Sequence, residues 1–208
     1  MQKIDYRKEQ KHLYNPSKKE FAVVDVPAMN FLMIDGKGDP NIFRDFQDAV
    51  EVLFAVSYTL KFMVKKSDGG VDYAVMPLEG LWWAEDMAVF TAGNKDEWQW
   101  TLMIMQPEFI EVDLVQAGME QVKRKKDPAA LPKMRFENFH EGKAAQILYI
   151  GPYSDEGPTI EKMHRFIEQQ GYSRTGKHHE IYLSDARRSV PEKLKTVLRQ
   201  PVKDLANQ

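Results

Sequence analysis

Gln146-Ile147-Leu148-Tyr149-Ile150-Gly151 is an apolar run closed by a glycine, and Gly157-Pro158 after it opens a helical pattern carrying Ile160, Met163 and Ile167 that Gly171 stops. The same arrangement stands earlier in the chain. Phe31-Leu32-Met33-Ile34-Asp35-Gly36 is again apolar and ends in glycine. Asp39-Pro40 follows, and then a long helical pattern with Phe43, Phe46, Val50, Leu53, Phe54 and Leu60 on one side. A strand candidate comes after each helix, Val71 to Met76 in the first half and His178 to Leu183 in the second. Each half then closes on a further strand, Trp98 to Ile104 running to Gln106-Pro107 and Thr196 to Arg199 running to Gln200-Pro201. The shared order argues for a duplicated strand-helix-strand-strand unit.

Two such units predict an α+β fold. A mainly antiparallel sheet carries helices on one face and leaves a ligand cleft on the other. The whole chain, 1–208, then reads as one domain. Its first repeat covers about 20–107, a linker helix and loop about 108–141, and the second repeat about 142–205. Ile110, Leu114 and Val122 give the linker its helical part, and Asp127-Pro128-Ala129-Ala130-Leu131-Pro132 its turns. Ser189-Val190-Pro191-Glu192 has the spacing of a capping box before the last strand.

Composition narrows the function classes. The 208 residues are 43% hydrophobic, enough for an ordinary core, and 29 basic against 31 acidic residues leave a net charge of −2. Charges of both signs are mixed along the chain, so neither nucleic acid nor a membrane surface is expected as a partner. The basic run Lys123-Arg124-Lys125-Lys126 reads as a solvated helix end. With no cysteine there is no disulfide, thiolate metal site or cysteine nucleophile. No apolar leader or 18-residue apolar stretch occurs, and the expected location is the cytoplasm.

Within His178-His179-Glu180-Ile181-Tyr182-Leu183, alternation sends Ile181 and Leu183 to one face and Glu180 and Tyr182 to the other. A carboxylate on the face away from the core is either rim exposure or the floor of a ligand site. His178 and His179 diverge on a strand and are a poor metal pair, so neither a metal nor any other cofactor is expected. Gly36-Lys37-Gly38 stops short of a dinucleotide fingerprint, and no serine lies in a nucleophile elbow.

Long segments carry a family resemblance. Pro27 to Asn41 (PAMNFLMIDGKGDPN), Gly176 to Asp185 (GKHHEIYLSD) and Leu194 to Val202 (LKTVLRQPV) closely resemble stand-alone GyrI-like proteins, and the likeness spans nearly the whole chain. It departs at Ala186, where proline is expected after Ser-Asp. The resemblance implies a tandem repeat with a ligand cleft between its halves. Related domains sense drugs in multidrug-responsive transcription activators, where a glutamate on the corresponding strand meets cationic aromatic ligands. Some stand-alone members hydrolyse electrophilic cyclopropane rings in DNA-alkylating natural products. Glu180 is the position that carries over.

Two readings follow. One is a binding module, without a DNA-binding domain of its own, that captures amphipathic xenobiotics, cationic or electrophilic among them. The other is a cofactor-independent detoxifying hydrolase in which Glu180 activates water. Self-association as a homodimer is left open. The candidate ligand-binding set is Glu180, Tyr182, Tyr149, Tyr73, Trp82, Trp83, Trp100 and Phe54, with Glu180 as the catalytic residue if there is turnover. Superposing the repeats puts Tyr73 opposite Glu180, and for each aromatic a place in the core competes with a place at the ligand.

Overall fold

The computed structural model describes residues 3–85 and 95–205. In chain order the strands are β1 Lys3–Ile4, β2 Ala22–Val26, β3 Met29–Lys37, β4 Asp72–Tyr73, β5 Leu78–Trp83, β6 Gln99–Gln106, β7 Arg135–Phe139, β8 Gly142–Ile150, β9 Tyr172–Arg174, β10 His178–Tyr182 and β11 Lys195–Asp204. The helices are α1 Tyr6–Glu9, α2 Lys11–Tyr14, α3 Arg44–Lys66, α4 Val112–Lys126 and α5 Gly157–Gln169. The fold is α+β with mostly antiparallel pairing, and the two repeats are β3-α3-β5-β6 and β8-α5-β10-β11. No helix among the described residues is long and apolar enough to cross a membrane. The chain divides into two compact units, Met1–Tyr6 with Met29–Phe139 and Arg7–Ala28 with His140–Gln208.

In the first unit β3 pairs with β6 on one side and β7 on the other, and β5 pairs with β6, all antiparallel. Directly opposed residues share a face. Leu32, Ile34 and Gly36 therefore lie beside Ile104, Leu102 and Trp100, and α3 covers them. Phe46 of α3 meets the ring of Trp100 edge-on at 5.3 Å and stacks on Trp82 at 6.0 Å. The close approach explains the glycine that ends β3, because a Cβ at Gly36 would fall inside the Trp100 ring. One sequence expectation fails here. The strand following the helix in the sheet is β5, not Val71 to Met76, of which only Asp72–Tyr73 is extended and pairs in parallel with β1. The long helical pattern after Asp39-Pro40 is α3, with Phe43 as the residue just before its first turn; in the turn leading to it Asp39 Oδ1 accepts from the Asn41 amide at 2.8 Å.

The second unit orders its strands β2-β8-β11-β10, with β9 on the far end of β11. One face carries an apolar cluster: Ala145, Ile147, Leu198 and Val202 pack with Met163 and Ile167 of α5. The opposite face holds a row of polar groups across three strands, because His179 is paired with Arg199 and Arg199 with Gln146. Arg199 is 1% exposed. Its Nη2 donates to the Leu13 carbonyl at 2.8 Å and, with Nε, to Gln146 Oε1, while Nη1 donates to Glu141 Oε2 at 3.1 Å. Glu141 Oε1 lies 2.9 Å from His179 Nδ1, and Gln146 Nε2 donates to the His12 carbonyl. Residues of the 7–28 segment are thereby fastened to the sheet through their main chain. The expected capping box does not form: the turn at Pro191–Lys193 starts from Val190 without a side-chain cap.

Burial pushes the Glu141 carboxyl up, but the charge and hydrogen bonds of His179 and then Arg199 outweigh it and hold the group at about 2. The stabilisation this gives is complete above the ordinary carboxylate value of 4.5 and is lost as pH falls toward 2. Glu141→Gln leaves Arg199 buried with one charge uncompensated and is expected to cost about 3–5 kcal/mol. Urea unfolding at neutral pH measures the loss. A stability curve recorded from pH 5 to pH 2 should be flatter in the variant, and equal slopes would count against this assignment.

Candidate functional site

Register decides where Glu180 points. It stands opposite Leu198, which packs on α5, so Glu180 lies on the helix-bearing face of its unit and not on the face away from the helices. Tyr182 stands opposite Thr196, and Thr196 opposite Tyr149. Three of the candidates, Glu180 and Tyr182 on β10 and Tyr149 on β8, therefore share one face, with β11 between the two strands. The Tyr182 hydroxyl donates to Glu180 Oε2 at 2.8 Å, and His178 Nε2 stands 3.4 Å from Oε1. The Glu180 side chain is 16% exposed.

The segment between β8 and α5 closes over this face. Tyr149 donates to the Pro152 carbonyl at 3.1 Å, which ties the turn to the strand it leaves. Tyr153 then sets its ring edge-on to Tyr182, with centroids 5.7 Å apart. Glu156 follows at the start of α5, 4% exposed. Its Oε1 and the Thr196 hydroxyl are both buried without a regular hydrogen bond. Burial first, and the negative charge of Glu180 second, push Glu156 up to about 9 against a smaller opposing pull from Thr196. Burial also raises Tyr153 to about 12, with the charges of Glu156, Glu180 and Asp185 adding to it. On α5, burial lowers His164 to about 4, helped by Arg174, whose guanidinium donates to its Nδ1 at 3.0 Å.

The remaining candidates belong to the first unit and do other things. Trp82 and Trp100 are buried together against Phe46. Trp83, next along β5, points to the opposite face from Trp82 and is half-buried. Phe54 stacks on Tyr58 along α3 at 6.3 Å. Tyr73 is 1% exposed, edge-on to Phe109 at 5.5 Å, and its strand is outside the main sheet, so it does not hold the place that Glu180 holds in the second repeat. A cavity of about 140 Å³ in this unit is lined by Ile34, Asp35, Asp45, Asp48, Trp100 and Lys133. Its acids are already matched, Asp45 to Lys133 at 3.0 Å and Asp35 to Arg135 at 2.8 Å. Among the described residues, Glu156 of the second unit has a buried carboxyl oxygen with neither a hydrogen bond nor an ion pair.

Glu156, Tyr153 and Thr196 are the site residues that the sequence did not disclose. Tyr153 and Glu156 fall in the turn between a strand and a helix, where no periodicity marks a direction. Thr196 sits inside an apolar strand pattern as a β-branched residue of no distinction.

No curated protein matches the chain. Among solved structures, an uncharacterised conserved protein from Listeria innocua is 41% identical with a TM-score of 0.89, over 96% of this chain and all of the other. A second Listeria innocua structure, described as a hydrolase, is 40% identical with a TM-score of 0.83 over the same shares. The C-terminal domain of EcmrR shares the fold at 12% identity, with a TM-score of 0.54 over 89% of this chain and 98% of that one. Residues 19–203 match the GyrI-like small molecule binding domain, and the chain belongs to that family.

Proposed function

We propose that the protein captures amphipathic small molecules, cationic or electrophilic among them, at the Glu180 face of its second unit. One observation carries the reading: a carboxylate 16% exposed accepts from one tyrosine hydroxyl, has an imidazole nitrogen 3.4 Å away, and is faced by a second tyrosine ring edge-on to the first. A charge so placed has lost hydration that one phenol and one distant imidazole do not replace, and an arriving cation restores the balance. Faces of Tyr153 and Tyr182 add about 0.5–2 kcal/mol each through cation-π contact. Rhodamine 6G, a delocalised aromatic cation, is a suitable probe. Fluorescence polarisation is expected to show saturable binding that weakens about tenfold or more in Glu180→Gln, the cost of one charge-assisted contact. Equal affinities would remove Glu180 from the site.

Turnover is the second reading, supported by the 40% identity to a Listeria innocua structure described as a hydrolase. Glu180 would take a proton from water as it attacks a strained, electron-poor ring carbon. Incubation with a cyclopropane-bearing dienone alkylator should then yield ring-opened alcohol over many turnovers. The rate in Glu180→Gln should fall by about 10²–10⁴, the range for removing a general base. Product stopping at one equivalent per protein would leave only the binding reading.

A further inference from the structure

Glu156 is the more unusual of the two acids on this face. It is buried to 4% exposure, no cation pairs with it among the described residues, and its Oε1 has no hydrogen bond. Its side chain has no amide of the first turn to accept from, because Pro158 lacks an N–H and the Thr159 and Ile160 amides donate to the Glu156 carbonyl at 2.9 and 3.0 Å. A buried oxygen left with neither a hydrogen bond nor a cation is costly for an anion and tolerable for a neutral acid.

Its surroundings agree. From β10 it feels the charge of Glu180, whose own neighbours are Tyr182 and His178. Thr196 of β11 is the polar group that favours its ionised form. Tyr153 and Tyr149 flank it, and Asp155 and Asp185 add negative charge around those phenols. No positive charge offsets this among the described residues, and burial with the Glu180 charge pushes it up to about 9. A buried carboxyl that keeps its proton beside a second, more exposed carboxyl can serve as the acid of the pair.

We propose that Glu156 is the neutral acid of the site, donating its carboxylic O–H to an acceptor oxygen of the ligand while Glu180 faces the ligand's electron-poor end. The ligand class this selects is a molecule with a carbonyl or similar acceptor oxygen set apart from a cationic or electrophilic centre. The proposal rests on the reading of this face as the ligand site. Were the ligand turned over, water's oxygen would bond to the ring carbon and the strained carbon–carbon bond would break, its electron pair ending on the carbonyl oxygen. That oxygen would take the Glu156 proton, Glu180 would take the proton from water, and exchange with solvent would return one proton from Glu180 to Glu156.

Two measurements test it, and the first needs no ligand. In protein labelled with 13C at glutamate carboxyls, one resonance is expected to titrate near pH 9, to vanish in Glu156→Gln, and to titrate at lower pH in Glu180→Gln. A spectrum in which every glutamate has finished titrating below about pH 6, or a high-pH resonance that survives in Glu156→Gln, overturns the proposal. The second uses rhodamine 6G, which carries both a cation and an ester carbonyl. Glu156→Gln keeps a neutral donor and should bind within about threefold of the native protein, whereas Glu156→Ala should lose about tenfold. Native affinity in Glu156→Ala alongside lost affinity in Glu180→Gln overturns the role of Glu156 and leaves the site standing. Absence of binding by the native protein overturns the site and this proposal with it.

Discussion

Arg199 is the constraint on which the second unit depends. A guanidinium 1% exposed must have its donors filled where it lies, and Glu141 just before β8, Gln146 within it and the Leu13 carbonyl from α2 fill them. Those partners exist only in one register of β10, β11 and β8. Slipping a strand by one residue would send Arg199 into the Leu198 face against α5 and strand the charge in hydrocarbon. Glu180 is paired with Leu198, the neighbour of Arg199, so the arginine's burial also fixes which way the acid of the site points.

Glu141 and Glu156 show that burial alone does not set a carboxyl's charge. Both are almost wholly enclosed within the same unit. Beside Arg199 and His179, Glu141 is held at about 2, while Glu156, with no cation and with the charge of Glu180 nearby, is pushed to about 9. The first is a structural anion whose proton would be ruinous; the second holds a proton that it can lend. Equal side chains thus take opposite roles through their partners.

What could be read from sequence follows the same logic. The strand-glycine-helix runs were legible because apolar periodicity and a close-packed glycine are local properties, and Gly36 under Trp100 is such a packing constraint. The strand after the first helix was misplaced because Val71 to Met76 is as apolar as β5, and only pairing with β6 distinguishes them. Alternation grouped Glu180 with Tyr182 correctly, yet it could not say which side α5 covers, since both faces of this strand are enclosed. The aromatic set suffered from the same ambiguity. Trp82 and Trp100 have the composition of a ligand cage and the location of a core, and Phe46 decides between them. Glu156 was invisible because its significance lies in what it fails to touch.

Comparing the repeats strand by strand explains why the chemistry gathers in one of them. Matching Gly36 to Gly151 and Gln106 to Gln200 brings the pairings of both units into register. Phe31 and Met105 then occupy the places of Gln146 and Arg199, so the first unit has apolar side chains where the second has its polar row. On the helix-bearing face Gly80 and Leu102 replace Tyr182 and Thr196, and Leu78, two residues before Gly80, stands in the place of Glu180. The first unit closes that face with Phe46, Trp82 and Trp100 packed on one another. Buried acids tolerate neither a slack register nor a flexible wall, and in the second unit Arg199 pins the register from the other face.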